Sequence, residues 1–170
     1  ARFGSKENKL LTVPEPLIIK EGAKIMSLDE GRKKMSKSDP NENSRITLLD
    51  TPDLITKKIK RAKTDSIIGL EFDNVDRPEA NNLLSIYSVL SGQGREAVAK
   101  ECSSMGWGTF KPLLAEATIA SLEPIQSQFK ELMNDRSELQ RILDGGRERA
   151  EEVAQTTLKR MRLALGLLRR

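Results

Sequence analysis

Lys33, Lys34 and Lys37 stand close together in GRKKMSKSDPN, residues 31–41, with Ser36 and Ser38 interleaved among them. Lysine ammonium groups are compact cations on flexible stems, and serine hydroxyls are short donors. A loop also leaves backbone N–H groups free, so the set as a whole suits a polyphosphate. It is no Walker A loop, because GxxxxGK[ST] is absent and Gly31 is the nearby glycine. On composition alone, a lysine loop that is merely solvated is the alternative reading.

Other chemistries are excluded by residue counts. The chain has 170 residues and no histidine, so imidazole serves neither as base, acid nor metal ligand within it. Cys102 is the single cysteine, which rules out an internal disulfide and a thiolate zinc site, and a buried, idle thiol is expected. No metal cluster and no carboxylate pair at catalytic spacing is found. The net charge of +4 permits a nucleic-acid partner without demanding one. No apolar run approaches the roughly 20 residues of a membrane span, and no secretory h-region is present. A soluble, reducing compartment is the default expectation.

The loop must be held by what flanks it. AKIMSL, residues 23–28, is a short apolar run that suits a buried strand of a parallel sheet, with the loop leaving its C-terminal end. TVPEPLIIK before it is extended by its prolines, and ITLLD (46–50) is a second extended candidate. From there the pattern turns helical. Thr51, Pro52 and Asp53 form a helix start, and a helix over 52–63 places Ile55, Ile59 and Ala62 on one face and Lys57, Lys60 and Arg61 on the other. Further helices are predicted over 78–91, with Leu83, Leu84, Ile86, Tyr87 and Leu90 as the stripe, over 94–104, and over 110–133 with a bend near Pro124. A short segment at SELQRIL, a break at Gly145–Gly146 and a final helix over 147–168 complete the chain. That helix presents Ala150, Ala154, Leu158, Met161, Leu165 and Leu168 as a face to be packed. Trp107, flanked by glycines, reads as a plug between helices, with stacking on an unpaired base as the alternative.

The order of letters carries more than the composition. KMSKS, Lys34 to Ser38, matches the second signature of class I aminoacyl-tRNA synthetases. The surrounding GAKIMSLDEGRKKMSKSDPNENSRITLLDTPDLITKKIKRAKTDS resembles the corresponding stretch of bacterial-type tryptophanyl-tRNA synthetases. RPEANNLLSIYSVLSGQ, GWGTFK and the closing helix are similar to the helical C-terminal domain of that family. The resemblance covers essentially the whole chain. Tyrosyl enzymes are the nearest confusable group, but their bacterial members vary this signature and append an RNA-binding module that is not seen here.

The resemblance implies a cytoplasmic ligase, or an organellar counterpart, that activates tryptophan with ATP and Mg²⁺ and transfers it to tRNA(Trp). Lys34 and Lys37 would stabilise charge on the leaving pyrophosphate, and Ser36 and Ser38 would donate to phosphates. Met35 would seat the loop, the main chain of Ile25 would contact adenine, and Gly31 and Pro40 would act at the loop's hinges. The family's first signature, His-Ile-Gly-His, needs histidine, so the chain resembles only the C-terminal half. Alone, it is expected neither to form tryptophanyl-adenylate nor to select tryptophan. The family's full enzyme is a homodimer.

The implied fold is mainly α: residues 1–50 as the end of a Rossmann-type α/β catalytic domain carrying the loop, then 51–170 as a helical anticodon-binding domain. KKIKRAK (57–63) holds five cations in seven residues, and Lys57, Lys60 and Arg61 are the candidates for tRNA phosphate contacts. Arg160, Arg162, Arg169 and Arg170 are weaker ones. A stand-alone helical RNA-binding module that retains an ATP loop is the rival reading.

Overall fold

The computed structural model describes residues 11–19 and 22–167, which are mainly helical. After a 3-10 turn at Glu42–Ser44 come α1 (Pro52–Arg61), α2 (Pro78–Ser91), α3 (Arg95–Cys102), α4 (Trp107–Asn134) and α5 (Arg136–Ala164). The chain divides into two compact units. One is Ile18–Gln128; the other joins the residues up to Leu17 with those from Phe129 onward.

α1 forms as its sequence dictates. The Thr51 hydroxyl accepts from the Leu54 N–H at 3.3 Å, Pro52 opens the helix and Asp53 meets the positive end of its dipole. Its far end is closed by another helix: Lys111 of α4 donates its Nζ to the carbonyls of Lys60 and Ala62 at 3.1 and 2.7 Å. Ile55, Ile59 and Ala62 are buried, as their spacing predicts. α2 matches its expected bounds and stops at Gly92, whose φ of 70° is the left-handed conformation that ends helices.

These helices enclose one apolar core around Leu28, Ile55, Ile59, Leu83, Leu84, Val98 and Phe110. The Phe110 ring meets Tyr87 and Trp107 edge to face, with centroids 5.7 and 6.1 Å away. Trp107 therefore packs at a helix junction, and its Nε1 donates to Asp65 at 3.2 Å. Cys102 is wholly buried, and burial pushes its thiol up to about 11. It is an inert apolar side chain at neutral pH.

The loop between α1 and α2 is tied down by charge. Arg77 is buried and grips Asp65 through two bonds of 2.8 and 3.0 Å, while its Nη1 donates to the Gly69 carbonyl at 2.8 Å. The Arg77 guanidinium holds the Asp65 carboxyl down at about 2. Gly69 has φ +86°, and a Cβ there would lie 2.8 Å from the Ser103 carbonyl oxygen, so only glycine fits.

Four expectations need correction. Residues 23–28 do not form a strand of a parallel sheet; among the described residues there is a single antiparallel bridge, Met26 to Lys34. Along the bridge, backbone groups are taken by the following loop on one side and by a helix side chain on the other, which leaves no ladder to extend. ITLLD (46–50) is not extended throughout. Thr47 and Asp50 close a turn, with the Thr47 N–H and hydroxyl donating to the Asp50 carboxylate at 3.1 and 2.6 Å. Such side-chain bonds compete with ladder formation.

Gly145 and Gly146 do not break the chain, and α5 runs through them. Each glycine costs a helix about 1 kcal/mol, and the pairs Arg141–Glu138, Arg147–Asp144 and Arg147–Glu151 brace the turns around them. Finally, the expected packed face of that last helix is not buried. None of the described side chains of α5 is buried; Met161 is half-buried, and Ala150, Ala154, Leu158 and Leu165 are exposed. Leu168 lies outside the described residues.

Candidate functional site

The lysine loop is built on a short ribbon. The Met35 N–H donates to the Ile25 carbonyl at 3.0 Å, and the Ser27 N–H donates to the Lys33 carbonyl at 2.8 Å. These bonds bracket the Met26–Lys34 bridge and fix the backbone on which Lys34 sits. The Leu28 N–H donates to the Ser44 carbonyl at 2.9 Å, and the Lys63 N–H donates to the Leu28 carbonyl at 2.8 Å. The ribbon is thereby stitched to the 3-10 turn and to the end of α1.

The other edge of the ribbon faces α2. Asn82 accepts from the Met26 N–H at 2.9 Å and donates from Nδ2 to the Met26 carbonyl at 2.9 Å, with the Ser27 carbonyl at 3.5 Å. Gly31 is buried against the first turn of α2, where a Cβ would lie 2.7 Å from the Glu79 nitrogen and 2.8 Å from the Pro78 carbonyl carbon. Its role is close approach of two backbones rather than a hinge. Glu79 also receives the Gly31 N–H at 3.4 Å and pairs with Lys63 at 3.1 Å.

The loop's side chains divide into two sets. Lys33 is engaged: its Nζ meets Asp39 at 2.7 Å, which raises the lysine's affinity for its proton and lowers that of the carboxyl. Arg32 donates to the Val75 carbonyl at 3.1 Å, and Arg45 donates to the Asp39 carbonyl at 2.6 Å. Lys34 and Lys37 are exposed, and among the described residues neither enters an ion pair. Ser36 and Ser38 share a hydroxyl–hydroxyl bond of 3.0 Å, and the Ser38 N–H turns back to the Ser36 oxygen at 3.3 Å. Met35 is half-buried and packs against the apolar core. Ile25 is half-buried at the start of the ribbon.

Two ammonium groups, two hydroxyls and a pinned backbone are thus brought to one exposed loop. That arrangement places mobile cations beside short donors, which is what binding a chain of phosphates requires.

The second cation cluster lies on α1. Lys57, Lys60 and Arg61 are exposed, as expected. Lys58 is not: it is 4% exposed and forms a 2.5 Å ion pair with Asp50, itself 7% exposed. Burial pushes the Asp50 carboxyl up, but the Lys58 ammonium and the Thr47 hydroxyl and N–H outweigh it and hold the carboxyl below its ordinary value. Gln126 adds bonds of 2.8 and 2.9 Å to the Leu48 and Asp50 carbonyls. Of the arginines considered late in the chain, Arg160 and Arg162 are exposed on α5, while Arg169 and Arg170 lie outside the described residues.

Sequence reasoning missed Asn82 and Lys58, and in both cases the signal was present. Lys58 stands three residues after Ile55 and four before Ala62, inside the buried stripe. Asn82 stands four before Ile86 on the apolar stripe of α2. A polar residue on a core stripe needs a partner, and each of these has one.

A family model described as tRNA synthetases class I (W and Y) matches residues 1–123. A tryptophan–tRNA ligase of Prochlorococcus marinus (strain MIT 9313) is 70% identical over 168 residues, 99% of this chain and 50% of that protein. The chloroplastic/mitochondrial tryptophan–tRNA ligase of Arabidopsis thaliana is 52% identical over 169 residues, 99% of this chain and 41% of that protein. The chain spans about half the length of the curated relatives it matches. Among solved structures, the tryptophanyl-tRNA synthetase of Mycoplasma pneumoniae superimposes with a TM-score of 0.76 at 30% identity, covering 88% of this chain and 45% of that one. That of Campylobacter jejuni, complexed with ADP and tryptophan, gives 0.61 at 25% identity, over 93% and 48%. With most of its length matched by that model, and with the signature loop in place on its ribbon, the chain belongs to the class I tRNA synthetases of the W and Y group.

Proposed function

We propose that this chain is the C-terminal half of a tryptophan–tRNA ligase, supplying the ATP-phosphate loop and a helical tRNA-binding surface. The observation that carries the reading is the division within the loop. Lys33 is occupied by Asp39, whereas Lys34 and Lys37 are exposed and without an ion pair among the described residues, beside Ser36 and Ser38. On this reading residues 1–50 end the nucleotide-binding α/β domain, and residues 51–170 form the anticodon-binding domain.

In the reaction, the tryptophan carboxylate attacks the α-phosphorus of ATP, the bond to the bridging oxygen breaks, and pyrophosphate leaves with the electron pair. Negative charge grows on that leaving group. Lys34 and Lys37 meet it there, where a cation is worth more in the transition state than in the ground state. Ser36 and Ser38 donate to phosphate oxygens once their mutual bond opens, Met35 anchors the loop in the core, and the main chain of Ile25 faces adenine. Among the described residues no group of three or more metal-ligating side chains is gathered. Mg²⁺ would arrive with the nucleotide. The aminoacyl group then passes to the 3′ end of tRNA(Trp), whose phosphates meet Lys57, Lys60 and Arg61. Tryptophan selection and much of the homodimer contact belong to the other half. The activity is that of a cytoplasmic or organellar enzyme.

Two measurements test this. In a full-length ligase carrying this sequence as its C-terminal half, Lys34→Ala with Lys37→Ala should lower tryptophan-dependent ATP–pyrophosphate exchange by about 100-fold or more, within the roughly 2.7–4 kcal/mol that a transition-state charge contact supplies. Unchanged exchange would remove the loop from the chemistry. With the 170-residue chain itself, binding of tryptophan tRNA across a salt series should weaken on changing Lys57, Lys60 and Arg61 together to alanine. The logarithmic salt slope should flatten by about 2 to 3, close to one for each phosphate left without its cation. An unaltered slope would move the RNA surface elsewhere.

A further inference from the structure

We infer that Asn82, on α2, is a positioning residue for the phosphate loop, taking the place of a neighbouring strand along one edge of its ribbon. The inference rests on the reading of Lys34 and Lys37 as the loop's working cations, and concerns what holds them in place.

Backbone N–H and C=O groups alternate in direction along an extended segment. Between Ile25 and Ser27 that alternation divides the partners cleanly. The Ile25 carbonyl and the Ser27 N–H face the loop, bonding the Met35 N–H and the Lys33 carbonyl. The Met26 N–H and carbonyl face the opposite way, and both end on the Asn82 amide at 2.9 Å. A carboxamide carries a C=O acceptor and an N–H donor on the same side, so it meets the N–H and C=O of one extended residue as a paired residue of a neighbouring strand does. Asn82 therefore completes a three-layered hydrogen-bonded strip: side-chain amide, Met26 backbone, loop backbone. The outermost layer contains Lys34.

The placement is rigid at both ends. Asn82 is 4% exposed and lies on a helix whose neighbours Leu83 and Leu84 are buried in the core. One turn earlier, the first residues of α2 press against Gly31, where a Cβ would lie 2.7 Å from the Glu79 nitrogen. The loop base is thus gripped twice by one helix, once through Asn82 and once through backbone contact at Gly31. Asn82 is separated from the loop lysines by the width of the ribbon, so it acts through Met26 rather than on phosphate. Without it, the Met26 N–H and carbonyl have no protein partner on that side. The ribbon is then free to shift by the fraction of an ångström that separates productive from unproductive lysine placement.

The test uses the full-length ligase carrying this sequence, with ATP–pyrophosphate exchange as the readout, corrected for the folded fraction. Asn82→Ala should lower kcat by about tenfold or more, with the KM for tryptophan unchanged, because the loop acts on the leaving group. The decisive arm is a double-mutant cycle. In a background already carrying Lys34→Ala and Lys37→Ala, Asn82→Ala should cost less than about twofold, because the groups it positions are gone. Asn82→Ser retains a polar group at the buried position, guards against a variant that fails to fold, and should give an intermediate loss with the same disappearance in the lysine-deficient background. Full kcat in a folded Asn82 variant would overturn the inference. So would an equal loss in both backgrounds, which would make Asn82 a general structural residue. If the lysine variants alone leave exchange intact, the loop reading itself falls and the inference falls with it.

Discussion

The two cation-rich stretches of this chain look alike in sequence and behave oppositely. In the loop, one lysine reaches its carboxylate from the solvent: Lys33, half exposed, pairs with Asp39, whose own carboxylate is little accessible. In α1, one lysine is tied to a carboxylate in the interior: Lys58 to Asp50, both nearly inaccessible. A pair whose cation stays in water desolvates little charge at that end and is partly screened. A buried pair leaves a stranded charge if either partner is removed. A run of basic residues is therefore not one feature: within each run a structural lysine sits among cations left available for a partner.

The sharpest way to break that distinction is to remove the two lysines separately. Lys58→Met should destabilise the chain by about 3–5 kcal/mol, the cost of leaving the Asp50 carboxylate buried and unpaired, with a large drop in the thermal or urea midpoint. Lys33→Ala should lower the midpoint much less, because water reaches the place of the exposed ammonium and the Asn41 N–H still bonds the Asp39 carboxylate at 2.9 Å. Equal effects would mean that burial does not separate the two pairs.

A third ion pair, of intermediate exposure, sharpens the scale. Asp65 is held at about 2 by Arg77, against an ordinary value near 4. Its folded value is depressed, so its contribution is fully present above about pH 4 and is lost as pH falls toward 2. The linked stabilisation is about 2 kcal/mol, at roughly 1.36 kcal/mol for each pH unit of depression. Urea unfolding of the parent and of Asp65→Asn between about pH 5 and pH 2 should show a gap that closes as the solution is acidified. A gap independent of pH would assign the Asp65 contribution to its uncharged bonds with Trp107 and the backbone.

What could be read from the sequence was local. The Thr51–Pro52–Asp53 start of α1, the full extent of α2 and the apolar stripes of both helices follow from caps and periodicity within a few residues. The KMSKS letters marked the loop, and the exposed positions of Lys57, Lys60 and Arg61 followed from helical spacing. What escaped was non-local. The strand reading of 23–28 judged an apolar run by its composition, but strand identity depends on partners, and the partner of Met26 is a side chain 56 residues away. The same holds for Lys58, whose fate was settled by Asp50 folding back across the Thr47 turn. Gly145 and Gly146 were read as a break on propensity alone. The helix runs through them all the same, and the periodic face of α5 does not imply burial of that face.

The bond between Asn82 and Met26 also has a consequence for the order in which the molecule comes together. A contact of long sequence separation pays its loop-closure entropy before it returns anything. The chain from Ile25 to Ser38 contains the letters of the phosphate loop, yet its ribbon has no finished second edge until α2 exists. During synthesis the loop precedes its own support by dozens of residues, so it takes its working shape late, as a product of the helical body rather than a template for it.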